Sequence, residues 1–235
     1  MPAPDPVLLV TRPAPAAERF AEAVQARVGP VQSLISPLQE IVHCDPGPLP
    51  EAGALVLTSA NGAAAADRLG LGGEAWCVGP QTAAAARAAG LEAVAAEGDA
   101  DSLVALLRAR RPAGPLLHLR GAHARGDVAR RLTEAGLPCA ERVVYRQEPR
   151  PPTPQAWALL RGDAPLVVPL FSPRSAALFA ALTPIDAPLH LVAISAATAG
   201  PLAALASREC RVAPAPEGEA VLALTCDVLG PLLMP

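Results

Sequence analysis

Small hydroxyl, amide, glycine and guanidinium residues recur in this chain just after short apolar runs. They are Arg12; Thr58, Ser59 and Asn61; Gly79 and Thr82; Arg120 and Gly121; Ser172 and Arg174; and Ser195 and Thr198. In open α/β sheets, ligands bind beyond the carboxyl ends of the strands, where loops turn into helix N-termini. Such an end offers unpaired backbone N–H groups and a partial positive charge. It favours each nearby anionic group by about 0.3–1 kcal/mol. Several ends around one ligand suit a molecule bearing many carboxylates or phosphates. Helix capping, worth about 1 kcal/mol per cap, accounts equally well for Ser59, Thr82, Ser172 and Thr198 taken singly, and one helix end can serve both purposes. Tyr145 is the single tyrosine of the chain. It packs between two halves of the chain or, if its hydroxyl faces the ligand, is the best-placed proton donor.

The elements that must position these residues come in two copies. VLLVTRPAPAAERF from Val7 aligns with LLHLRGAHARGDVARRL from Leu116, which sets Arg12 opposite Arg120. LVLTSANG from Leu55 aligns with VVPLFSPRS from Val167, setting Ser59 opposite Ser172, and the next pair sets Thr82 opposite Thr198. The apolar runs at 7–10, 55–57, 76–78, 116–119, 166–170 and 189–194 do not alternate with polar residues, as expected of strands covered on both faces. Helical stretches are expected at 16–28, 62–69, 82–89 and 125–135, each ended by a glycine: Gly29, Gly70, Gly90 and Gly136. Strand-helix alternation predicts a doubly wound parallel sheet in each copy. Extended segments at matching places, followed by proline-rich stretches, read as two linking strands. The expected organisation is therefore α/β: two similar lobes joined by a two-stranded linker, with one ligand held between them. Residues 1–35 and 150–235 form a discontinuous first lobe, 42–141 the second, and 36–41 and 142–149 the linker strands.

Composition removes several chemistries. All 19 basic residues are arginine, so a Schiff-base lysine, a P-loop lysine and a kinase-type lysine are excluded. The net charge of −3 argues against a nucleic-acid footprint. Aromatics are 3% and hydrophobics 51% of the chain, so the cores are built of Leu, Val and Ala. Cys44, Cys77, Cys139, Cys210 and Cys226 form no C-x-x-C pair and read as reduced, mostly core thiols of a cytoplasmic protein. No apolar run approaches the roughly 18 residues of a membrane helix. His43, His118, His123 and His190 fit no metal-ligand spacing; His118 and His190 read as packed, His123 as a loop residue able to line a cleft. G-x-G-x-x-G after the first strand and G-x-S-x-G are absent.

Seven strings in order, TRP from Thr11, LTSANG from Leu57, CVGPQTA from Cys77, LHLRG from Leu117, VVYRQEP from Val143, FSPRSAALF from Phe171 and AISAATA from Ala193, resemble the uroporphyrinogen-III synthase family across essentially the whole chain. Ser195 departs from the family's usual glycine. The resemblance implies two α/β lobes on a two-stranded linker, with a linear tetrapyrrole of eight carboxylates, hydroxymethylbilane, in the cleft. It implies loss of the terminal hydroxyl as water and ring closure with the last pyrrole inverted through a spiro intermediate, a lyase reaction without metal or organic cofactor. A monomer that takes its substrate from the enzyme forming it is the expected arrangement, with no nucleic-acid or membrane partner. The competing reading is a non-catalytic two-lobed protein that closes on a polyanionic small molecule.

Overall fold

The computed structural model describes residues 4–124 and 126–234. The chain divides into two compact units, one made of residues up to Glu40 together with those from Pro149 onward, the other of Ile41–Glu148. β1 (Val7–Val10), α1 (Ala16–Val28) and β2 (Gln32–Ile35) open the first unit, and β3 (Gln39–His43) leads into the second. The second unit continues with β4 (Ala54–Leu57), α2 (Ala60–Arg68), β5 (Glu74–Cys77), α3 (Pro80–Ala88) and β6 (Glu92–Ala95). It ends with α4 (Ala100–Arg110), β7 (Leu116–Gly121), α5 (Val128–Glu134) and β8 (Cys139–Pro149). The first unit is completed by α6 (Pro154–Leu160), β9 (Leu166–Leu170), α7 (Pro173–Ala180), β10 (Leu189–Ala193), α8 (Ala196–Ala199), β11 (Glu209–Val212) and α9 (Gly218–Leu233). Residues 142–149 thus continue β8, and of residues 36–41 the first three lie between β2 and β3 and the rest in β3. Arg125, where a helix was expected to begin, lies outside the described residues.

The sheets run β11-β10-β9-β1-β2 and β3-β8-β7-β4-β5-β6. β1 pairs in parallel with β2 and β9, and β7 pairs in parallel with β8 and β4. Apart from β3, which extends the second sheet beyond β8, the order is the same in both units, with β7 in the place of β1 and β4 in the place of β9, as the internal repeat requires. In each sheet the chain proceeds to one side from the first of these strands and to the other side from the second. The reversal point therefore falls between β1 and β9 in one unit and between β7 and β4 in the other, the position where open α/β sheets leave a crevice.

Burial explains the non-alternating runs. Val7 and Leu9 belong to one cluster with Phe179 and Leu191, while Leu8 and Val10 belong to another with Val24 and Leu229. In the second unit, Leu55, Leu57, Leu117 and Leu119 pack on one face, and Ala54, Val56 and Leu116 pack with Trp76 and Leu132 on the other. Each sheet is thus apolar on both faces, the condition a parallel sheet flanked by helices must meet. The chain leaves α2 and α3 through Gly70 and Gly90, whose φ of 65° and 80° would strain any residue with a Cβ.

Gly62, on the first turn of α2, fixes how closely that helix approaches β7. A Cβ there would lie 2.9 Å from the carbonyl oxygen of Leu119, a backbone atom that cannot move aside alone. Gly62→Ala is expected to lower stability by roughly 1–3 kcal/mol despite the better helix propensity of alanine. A urea midpoint at or above that of the unaltered protein would show that the helix can retreat without cost.

Candidate functional site

The second unit concentrates its polar residues at the reversal point. β4 ends at Leu57, and Ser59 caps α2: its backbone is extended and its Oγ accepts from the N–H of Gly62 at 3.2 Å. The same Oγ lies 2.9 Å from the hydroxyl oxygen of Tyr145, which is 9% exposed. Tyr145 arrives there through an irregularity in the β7–β8 ladder. Arg120 is opposite Val143, but Gly121 is opposite Tyr145, so one residue of β8 is passed over. Bulges of this kind re-aim a side chain. Here the ring lies directly over Gly121, where a Cβ would stand 2.7 Å from two ring carbons and 2.9 Å from the hydroxyl oxygen.

Thr58, Gly121, Asp99, His123 and Tyr145 line a pocket of about 330 Å³. Thr58 adds a second hydroxyl, whose Oγ1 is 3.1 Å from Nε2 of His118. His118 is the polar exception in β7, 1% exposed. Burial pushes its imidazole down to about 4, with Arg120 adding to the effect and Glu141 opposing it. The ring is therefore neutral near pH 7 and can only exchange a hydrogen bond. Gly79 caps α3 with an extended backbone; a Cβ on it would meet the α-carbon of Gly98 at 3.0 Å. Thr82 is buried on the first turn of α3 and Asn61 is half-buried on that of α2.

Arg120 is not among the residues around Tyr145. Its guanidinium donates to Glu141 Oε1 at 2.7 Å and to the Gly121 carbonyl at 3.2 Å. With His118, Asp127, Arg130, Glu134 and Glu141 it lines a different pocket of about 610 Å³.

The first unit repeats the placement with other chemistry. Arg12 follows β1, with its guanidinium carbon 4.1 Å above the ring centroid of Phe171. Burial, helped by Arg19, lowers its pKa. Ser172 caps α7 in a capping box with Ser175, accepting from the Ser175 N–H at 3.1 Å and donating to its Oγ at 3.0 Å. Arg174 stands on the first turn of that helix, half-buried. Ser195 caps α8 and its Oγ lies 3.1 Å from that of Thr198, which is fully buried. Ser59, Ser172 and Ser195 are thus all caps, whereas Thr82 and Thr198 occupy the third position of their helices.

The cysteines are more exposed than expected: Cys77 is buried, Cys44, Cys139 and Cys226 are half-buried, and Cys210 is exposed. Burial pushes the thiols of Cys77 and Cys139 up to about 11 and about 12, so neither offers a thiolate nucleophile near neutral pH. His190 is half-buried and paired through Nδ1 with Glu209 at 2.8 Å. Among the described residues no group of three or more His, Cys, Asp or Glu side chains could hold a metal ion, and no helix is long and apolar enough to cross a membrane.

Two parallel α/β units of like topology, each with a capped helix at its reversal point, define a duplicated α/β protein with a hydroxyl-lined site in its second unit. Residues 18–223 match the family described as uroporphyrinogen-III synthase HemD, and the chain belongs to that family. Among solved structures, it is similar to the uroporphyrinogen-III synthetase of Helicobacter pylori 26695, at 16% identity and a TM-score of 0.64, over 96% of this chain and 99% of that one. A mutant uroporphyrinogen III synthase from the extremely thermophilic bacterium Thermus thermophilus aligns at 19% identity and a TM-score of 0.48, covering 97% and 98% of the two chains. No curated relative matches the chain. The fold is that of the Helicobacter structure.

The His118 environment generates a pH prediction. The imidazole titrates near 6.5 when exposed and at about 4 when folded. Between these values the unfolded chain binds a proton that the folded chain does not, so stability rises with pH. The contribution is present above about pH 6.5 and is lost as pH falls towards 4. His118→Gln should therefore lose roughly 2 kcal/mol less stability than the unaltered protein between pH 7 and pH 4.5. Parallel losses in urea titrations at the two pH values would contradict the assignment.

Proposed function

We propose that this chain is a uroporphyrinogen-III synthase, a lyase that cyclises hydroxymethylbilane to uroporphyrinogen III with loss of water and inversion of the last pyrrole ring. Membership of the family supports the activity, and the observation that carries the site is the Ser59–Tyr145 pair, 2.9 Å apart at the reversal point.

The substrate is already reactive, because an electron-rich pyrrole can expel the adjacent hydroxyl group. Proton transfer to that hydroxyl lets it leave as water. Tyr145 is the proposed donor. When its proton goes to the leaving group, Ser59 can donate to the phenolate oxygen, while Ser59 Oγ keeps accepting from the Gly62 N–H. The proton released as the new macrocycle regains its pyrrole rings restores the phenol. The protein's larger task is steering: attack at the substituted carbon of the last ring must outrun attack at the free one. That is positioning catalysis, with helix N-termini and hydroxyls as fixed dipoles on the carboxylates. Thr58, Asn61, Gly79, Thr82 and Gly121 in the second unit are the proposed substrate contacts there. Arg12, Ser172, Arg174, Ser195 and Thr198 are those of the first. Arg120 acts through Glu141 and the Gly121 carbonyl, holding the end of β7. The protein is proposed to work as a cytoplasmic monomer receiving its substrate from the enzyme that forms it.

Hydroxymethylbilane generated in situ should give the type III isomer above the blank on separation of the oxidised porphyrins. Type I alone, the spontaneous isomer, would overturn the activity. Tyr145→Phe is expected to lower the rate of type III formation by more than about tenfold, with the share of spontaneous type I rising accordingly. Undiminished turnover would remove Tyr145 from the proton transfer.

A further inference from the structure

His118 is a buried polar residue in an apolar strand, and among the described residues its ring meets one hydrogen-bond partner, the hydroxyl of a pocket residue. Its Nε2 lies 3.1 Å from Thr58 Oγ1, while its Nδ1 is buried without a hydrogen-bond partner among the described residues. A neutral imidazole has one N–H and one bare nitrogen, so the pair exists in one of two forms. If Nδ1 held the proton, an N–H would be buried with no acceptor and Nε2 would consume the Thr58 proton. If Nε2 holds it, the orphan is a lone pair, and Thr58 accepts. Buried donors without acceptors are the rarer defect in folded proteins. The second form leaves the hydroxyl hydrogen of Thr58 without an acceptor among the described residues, in a residue that lines the Tyr145 pocket.

We propose that His118 is a positioning residue: its Nε2–H donates to Thr58 Oγ1 and so commits the Thr58 hydroxyl to donating a hydrogen bond to the substrate, most naturally to one of its carboxylates. The assignment of a substrate to this pocket rests on the function proposed above. The tautomer does not. His118 pairs across the ladder with Val56, is not in the lining of the Tyr145 pocket, and acts through Thr58. Its neutrality suits the task, since a charged ring would donate from both nitrogens and bury a cation.

The tautomer is read directly by nitrogen-15 magnetic resonance of histidine-labelled protein. The chain has 4 histidines, and His118→Gln identifies the signal. The expected result is a bare Nδ1 and a protonated Nε2 at pH 7; a protonated Nδ1 overturns the proposal. The functional arm uses two amides of different reach. Glutamine places its N–H where Nε2 stands and asparagine where Nδ1 stands, so both bury a similar polar group. His118→Asn should lower the rate of type III formation about tenfold, and His118→Gln should recover most of that loss. In a Thr58→Val background the two should differ by less than about twofold. Thermal midpoints separate these effects from misfolding. Equal rates for the Asn and Gln variants, in folded proteins whose parent makes the type III isomer, would overturn the positioning role and leave the synthase reading intact. A parent that makes only type I would sink that reading while the tautomer measurement still stands.

Discussion

The parallel pairing of β4 with β7 is the constraint on which the site depends. Crossovers leave these two strands on opposite sides, so no helix closes over the space beyond their ends, and whatever follows Leu57 and Leu119 must meet there. Ser59 and Thr58 come from one strand end and Gly121 from the other. Tyr145 joins them because the ladder with β8 slips by one residue between Arg120 and Gly121. The ring then occupies the volume a side chain at position 121 would need. The bare α-carbon of Gly121 is therefore a condition for the Ser59–Tyr145 hydrogen bond, and backbone geometry, more than any charge, sets where the phenol stands.

Duplication kept the scaffold and let the chemistry diverge, and one position shows how. Ser59 and Ser172 are equivalent caps with the same extended backbone. Three residues on, α7 carries Ser175, whose Oγ accepts a hydrogen bond from the Ser172 hydroxyl at 3.0 Å. The corresponding residue of α2 is Gly62, which offers only its backbone N–H. A glycine at the third helical position thus does two things. It lets α2 lie against the backbone of β7, and it leaves the Ser59 hydroxyl to pair with Tyr145. In the first unit the closed capping box satisfies the serine internally, and across the reversal point, after β1, Arg12 lies on the face of Phe171.

Much of this was legible in the sequence. The runs at 7–10 and 166–170 and the helix at 16–28 coincide with the structure, because both-face burial leaves an unbroken apolar signature. The equivalence of Ser59 with Ser172 and of Thr82 with Thr198 also stands, since the repeat carries helix position along with residue type. What could not be read were partners. The alignment of Arg12 with Arg120 suggested like roles, yet one stacks on Phe171 and the other binds Glu141, because the repeat copies the strands and not the residues beside them: Phe171 stands opposite Thr58. His118 read as packed, and packed it is. Its bond to Thr58 depends on a cross-strand neighbour 60 residues away, which no local pattern encodes. Ser195 stands where the family usually has glycine. Its φ of −158° is open to any residue, and the glycine of the second unit answers a local crowding at Gly98 instead.

The balance of charge follows the same logic. The chain carries a net charge of −3, an unfavourable field for the proposed substrate with its eight carboxylates, and the guanidinium of the β7 strand, Arg120, is engaged by Glu141. Strong cationic clamps would hold the carboxylates tightly, but they would hold them equally before and after the bond-forming step, and uniform binding does not choose between two carbons of one ring. Selection of that kind is a matter of angle. A guanidinium presents several donors and accepts a carboxylate from many directions, whereas a hydroxyl whose oxygen is already engaged has a single hydrogen to give. The Ser59–Tyr145 and Thr58–His118 pairs constrain hydroxyls in this way, with Tyr145 and Thr58 lining one pocket. A directional, hydroxyl-lined site is the form expected of a catalyst whose reaction proceeds unaided and needs chiefly to be aimed.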